Sequence, residues 1–215
     1  MNLPFSHDQF LDVFGAYNEA FWPAVILLWM VTAASVVAFL RKGAAFSRAI
    51  ALLLVLHWGW SGIAYHLLYF RAINPAAALF GTAFVVEAGL LAWLGVWSQH
   101  LTFAPSTSFW SRTGIGLVLV ALIYPAAGVM LGLSWPRIPL FAVPCPTTLL
   151  TAGLLMNASR RAARTVAVIP LLWSAVGSSA AIVLGIRADL ALMVAGITLL
   201  AYIALPTRHA PATAA

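Results

Sequence analysis

Glu87 stands in the stretch FVVEAGLLAW, residues 84–93, and every other acidic residue lies more than 60 positions away. A carboxylate among such neighbours is costly in hydrocarbon unless it is neutralised or paired. His57 is the expected companion. On helices that rise about 1.5 Å per residue, the two side chains fall about 10–15 Å from the same end of consecutive, tightly joined helices. Ser61 follows His57 by one turn, and Trp60 lies beside it. An acid and an imidazole at one depth could pass a proton or form the polar floor of a cavity. The plainer alternative is a neutral Glu87 that braces two helices through a hydrogen bond.

A second chemical feature is AVPCPTTLLTAG, residues 142–153. Pro144 and Pro146 lack an N–H and restrict the residues before them, so this helix breaks or starts late, with Thr147 and Thr148 to satisfy freed carbonyls. Broken helices at membrane depth are where transporters build binding sites. Cys145, Thr147 and Thr148, with Ser174 on a later helix, therefore join His57, Trp60, Ser61 and Glu87 as cavity candidates. A purely structural kink is the competing reading. A separate polar group gathers toward the opposite, outer end: Tyr65, His66, Arg71, Asn74 and Asp189.

Several chemistries are unsupported. His57 and His66 are nine positions apart and half a turn out of phase, so one helix face cannot offer both to a metal. His7, His100 and His209 fall in tails or loops, which leaves a haem without a second axial ligand. The single cysteine excludes an internal disulfide and a CxxC site. No GxSxG, HExxH or Walker sequence occurs, and a retinal Schiff base would need a buried lysine where the chain has only Lys42, in a turn. The expectation is a non-enzyme with no catalytic residue, no metal and no cofactor.

The elements that hold these residues follow from composition. Of the 215 residues, 63% are hydrophobic and 7% charged, against about a quarter charged in soluble domains. Apolar runs at 21–40, 47–70, 75–97, 114–133, 138–157, 165–186 and 189–206 have about the length that crosses a bilayer as helix. The predicted fold is all-α: a polytopic bundle of seven transmembrane helices over 21–206. Arg41, Lys42, Arg48, Arg112, Arg160, Arg161, Arg164 and Arg208 lie on one side, against Arg71, Arg137 and Arg187 on the other. Eight against three puts the N-terminus outside and the C-terminus in the cytoplasm. The net charge of +6 is spread through these gaps and forms no patch for nucleic acid.

Residues 1–20 are expected to form an amphipathic interfacial helix. Ser6 and Gln9 have capping-box spacing, and Phe10, Val13, Phe14, Tyr17 and Phe21 recur at helical intervals, with Asp8, Asp12 and Glu19 mostly off that stripe. It reads first as a lipid-facing anchor and second as a lid over an outer cavity. With no basic segment ahead of it, no cleavable signal is expected. The tail 207–215 is expected to be a disordered cytoplasmic end. WSGIAYHLLYFRAINPAAALFG from Trp60 and WSAVGSSAAIVLGIRADLALMVAG from Trp173 resemble a repeat, although two spacings differ. Same-facing repeats occur in small transporters.

Four strings, AYNEAFWPA, HWGWSGIAYHLLYFRAINPAAALFG, PCPTTLLTAGLL and IPLLWSAVGSSAAIVLGIRADLALMVAG, together resemble a bacterial integral-membrane family known as domain of unknown function 6064. The resemblance covers roughly residues 6 to 206. Its motif positions are Tyr17, Asn18, Trp22 and Pro23; Tyr65, His66, Ile73 and Asn74; Pro144, Pro146 and Thr147; and Asp189. It implies glutamine in many relatives where this chain has Glu87, which favours bracing over titration. It implies no activity.

The expected function is therefore a small-molecule or ion transporter or permease of the bacterial inner membrane, multi-pass, with a midplane polar cavity. The alternatives are a non-catalytic membrane subunit or a ligand- or cofactor-binding module and, last, a membrane-embedded enzyme. Expected partners are the lipid bilayer, a small-molecule or ion ligand, and a membrane-protein partner or second copy of the chain.

Overall fold

A computed structural model describes residues 4–205; the expected tail at 207–215, with Arg208 and His209, lies outside them. The described residues are helical throughout apart from connections, and their one β-type contact is an isolated bridge between Phe103 and Ala158.

The first helix, α1 (His7–Lys42), runs 36 residues without interruption. Its start is the capping box read from the sequence: Ser6 Oγ accepts from Gln9 N–H, and Gln9 Oε1 accepts from Ser6 N–H. The boundary expected at residue 20 is not a break, because Pro23 is accommodated inside the helix. The apolar stripe also turns inward. Phe10, Val13, Phe14 and Tyr17 are buried while Asp8, Asp12 and Glu19 are exposed, so this half of α1 packs its aromatic face on the bundle.

Gly43 adopts a positive φ and a single 3₁₀ turn, Gly43–Phe46, reverses the chain. Helix α2 (Ser47–Trp60) then runs antiparallel to α1, so that Thr32 meets His57 and Tyr17 meets Trp60. It continues as a π-helical segment, Ser61–Leu67, in which Leu68 N–H bonds to Ile63 O five residues back. Helix α3 (Ala77–Leu91) returns alongside and ends in a second π segment, Ala92–Trp97. The α2 and α3 backbones approach closely at Gly62 and Gly81: a Cβ on Gly62 would stand 2.9 Å from Gly81 O. Small residues that let helices touch in this way are the usual glue of membrane bundles.

Helix α4 (Phe109–Met130) carries Pro125, and in the turn this proline loosens, Leu122 O accepts the Trp29 indole N–H at 2.9 Å. The expected span 138–157 is not one helix. An irregular stretch leads to α5 (Pro144–Leu155), whose 12 residues are all buried and fall short of the roughly 20 a bilayer requires. Asn18 makes the irregular stretch possible by donating to the carbonyls of Pro136 and Ile138, each at 2.6 Å. Helix α6 (Arg160–Val166) meets α7 (Val168–Leu184) at a 61° bend next to Pro170. A 3₁₀ turn, Arg187–Leu190, leads into α8 (Ala191–Ala204). Arg160 and Arg164 reach back to the carbonyls of Leu205 and Ile203 and satisfy the end of α8.

By length and apolarity four helical runs can cross a membrane, or five if the bent α6–α7 pair counts as one. Their outer faces carry Leu27, Met30, Leu52, Leu79, Ile123 and Ile197, all exposed, an apolar exterior that suits a bilayer.

Candidate functional site

A cavity of about 150 Å³ lies at the end of the bundle where α1 begins, open beside α7 where Val176, Ser179 and Val183 are exposed. Phe5, just before α1, and Phe10 and Phe14 in its first turns roof it. Tyr65 and Phe70 come from the end of the α2 rod, and Phe80 from α3. Trp173, Val176 and Ala180 form the α7 wall, Pro144 and Cys145 the floor, and Asn74 and Asp189 the polar points. The rings pack on one another: Phe14 on Tyr65 at 5.5 Å and Phe5 on Phe70 at 5.4 Å between centroids. Such pairs favour defined ring geometries, which orders the roof against the walls.

Local sequence explains each wall. The π segment adds a residue to the turn and so shifts Tyr65 and His66 relative to a regular helix; such bulges recur at functional sites. At the floor, Pro144 and Pro146 have no N–H, and Thr147 N–H already bonds to Val143 O. Of the first three helical residues only Cys145 keeps a free backbone donor, which is how a helix begins in a buried place at low cost. The roof is tied down at its rim. Arg137 pairs with Asp8 and Asp12, and His7 Nδ1 contacts Leu184 O at 2.7 Å.

Asp189 is buried at the polar edge of the cavity. The Tyr124 hydroxyl from α4 donates to its Oδ1. No basic side chain among the described residues forms an ion pair with it; the ion pairs are those of Arg137. Arg187, two residues earlier, is exposed and lines a different surface pocket.

The residues predicted from sequence divide. Of the expected outer cluster, Tyr65, Asn74 and Asp189 line the cavity. His66 stands directly behind its wall, 5.0 Å from the Trp173 ring and 4.8 Å from Phe84, with neither ring nitrogen bonded. Arg71 is exposed and takes no part. Of the expected midplane group only Cys145 lines the cavity.

His57 and Glu87 form no hydrogen bond with each other. Thr32 donates its hydroxyl to Leu28 O, so His57 Nε2–H donates to Thr32 Oγ1 at 2.9 Å and Nδ1 keeps an unshared pair. Phe141 packs edge-on against the same imidazole at 4.8 Å. Glu87 is fully buried with neither oxygen bonded. It projects from α3 one turn beyond Phe84 on the same face, and Phe84 packs against Trp58, His66 and Trp173. Trp60 donates to the Tyr17 hydroxyl at 2.7 Å. Thr148 and Ser174 bond to carbonyls four residues back in their own helices, those of Pro144 and Pro170. Ser174 lines a separate groove between α7 and α8. Ser61 Oγ and Thr147 Oγ1 are buried without partners. No three His, Cys, Asp or Glu side chains come together among the described residues.

Sequence reasoning missed Thr32, Tyr124 and the α1 phenylalanines as site residues. For the phenylalanines the signal was present in the stripe at Phe10 and Phe14; Thr32 and Tyr124 sit in spans whose facing cannot be read without the packing.

The architecture and cavity thus define an all-helical protein with several helices long and apolar enough to span a membrane and a small aromatic chamber under its first helix. Residues 7–214 match a family of unknown function (DUF6064), and the chain belongs to that family. Neither the curated proteins nor the solved structures give a match. Of the residues that carried the resemblance, Tyr65, Asn74, Pro144 and Asp189 line the cavity, Tyr17 holds Trp60, and Asn18 holds the stretch leading to α5, while Trp22 is exposed on the outside of α1.

Proposed function

We propose that this protein is a multi-pass protein of the bacterial inner membrane, with seven helical rods and its N-terminus outside, that binds a small, mostly apolar molecule in the chamber under α1. The observation that carries this reading is the chamber itself. A concave, largely aromatic space with a few convergent polar groups is the common form of a ligand site, and 150 Å³ matches engineered cavities that take up benzene. The basic asymmetry between the two sides supports the orientation, and the roof formed by Phe5, Phe10 and Phe14 would then face the outside. The reading needs no catalytic step.

The test is titration of benzyl alcohol into the detergent-solubilised protein, with Ala180→Phe, which fills the chamber from α7, as the reference for partition into detergent. Saturable binding present in the wild type and lost in Ala180→Phe is expected. Equal, non-saturable uptake by both would refute the chamber as a site.

A permease is the second reading, favoured by the buried polar atoms without protein partners at Ser61, Thr147, Glu87 and His57. Such atoms call for an explanation, and a polar path is one. With Ser61→Cys in a Cys145→Ser background, a charged thiol reagent added from outside should reach position 61 if a path exists. An unreactive thiol would leave a binding module without passage.

A further inference from the structure

We infer that the ligand of the chamber is a small organic cation, a primary or methylated amine carrying one compact apolar group, with Asp189 as its counter-ion. The inference rests on the binding role proposed above and adds the chemical class. Three observations converge on it. The first is charge: Asp189 sits at the cavity edge, buried, with Oδ1 held by Tyr124 and no basic side chain paired with it among the described residues. A buried carboxylate is unfavourable without a positive partner, and a bound ammonium would provide one.

The second is the wall. Phe14, Phe70 and Trp173, from three different elements, line the same small space. Aromatic faces attract cations within about 6 Å of the ring centre and repel anions, and the attraction grows when water is excluded. The third is the composition of the lining: it contains no Lys, Arg or His. An anionic ligand would find no positive group there. A neutral ligand would leave Asp189 uncompensated. The volume accommodates an apolar group of about the size of a benzene ring.

The experiment compares two probes of equal size and opposite character, benzylammonium and benzyl alcohol, by titration at neutral pH against the detergent-solubilised wild type and Asp189→Asn. The expected result is benzylammonium binding at least tenfold tighter than benzyl alcohol in the wild type, with the ratio falling toward one in Asp189→Asn. Equal affinities in the wild type, or a preference that survives in folded Asp189→Asn, would overturn the cation assignment and leave the binding role standing. Binding of neither probe would overturn both. Should Asp189→Asn fail to fold, the wild-type ratio decides the matter by itself.

Discussion

The Tyr124 hydroxyl donates to the Asp189 carboxylate, joining the middle of α4 to the turn that opens α8, at a place where both residues are buried. This bond fixes the carboxylate at the chamber's edge and is its one side-chain hydrogen bond among the described residues. Tyr124→Phe keeps the ring and removes the donor. A loss of about 1–3 kcal/mol is expected, because the acceptor stays buried and unpaired. Asp189→Asn retains an oxygen for Tyr124 and should cost less. Thermal unfolding in one detergent ranks the two; the opposite order would show that Tyr124 is not the group that holds Asp189.

Asn18 offers a test of how the irregular stretch before α5 is held. Its amide donates to two carbonyls, Pro136 and Ile138, so Asn18→Ala should cost about 1–3 kcal/mol. Asn18→Asp replaces the donor by an acceptor that faces two other acceptors and should be at least as damaging. Limited proteolysis near Pro136 should follow the same order. Wild-type stability in Asn18→Asp would contradict the role.

Much of the fold is legible in the sequence, and the limits have a physical cause. Hydropathy locates the helical stretches, because about 20 apolar residues in a row have few other uses. Ser6 and Gln9 announce the first cap, and the two prolines announce the late start of α5. Residue counting also brings Tyr65, Asn74 and Asp189 to one end. What counting along a helix does not supply is rotation about its axis. His57 and Glu87 have similar depth, yet His57 bonds to Thr32 on α1 and Glu87 makes no hydrogen bond to the protein. The π segment at Ser61–Leu67 adds to this difficulty, since one extra residue turns every later side chain by about 100° relative to a regular helix. The length of α1 is hidden for a different reason: the change at residue 20 from an amphipathic stripe to a fully apolar run suggests a boundary, but the stripe at Phe10 and Phe14 finds its partners within the bundle.

Glu87 and Thr32 should now behave differently on substitution. Thr32→Val deprives His57 Nε2–H of its acceptor and should cost about 1–3 kcal/mol. Glu87→Leu removes no hydrogen bond made to the protein and exchanges a desolvated carboxyl for an apolar group, so unfolding temperature should hold or rise. Glu87→Gln should be neutral. If Glu87→Leu is as destabilising as Thr32→Val, Glu87 has a partner that this account does not give it.

The most direct measurement of the central claim, that the chamber under α1 holds a small molecule, uses the chain's single cysteine. Cys145 lies on the chamber floor and is buried, so its reaction with methyl methanethiosulfonate, followed by mass spectrometry, reports on that space alone. The account predicts slow modification in the free protein and a further slowing of at least tenfold with saturating benzylammonium, with no such protection in Ala180→Phe. A rate that neither benzylammonium nor benzyl alcohol changes in the wild type would contradict it.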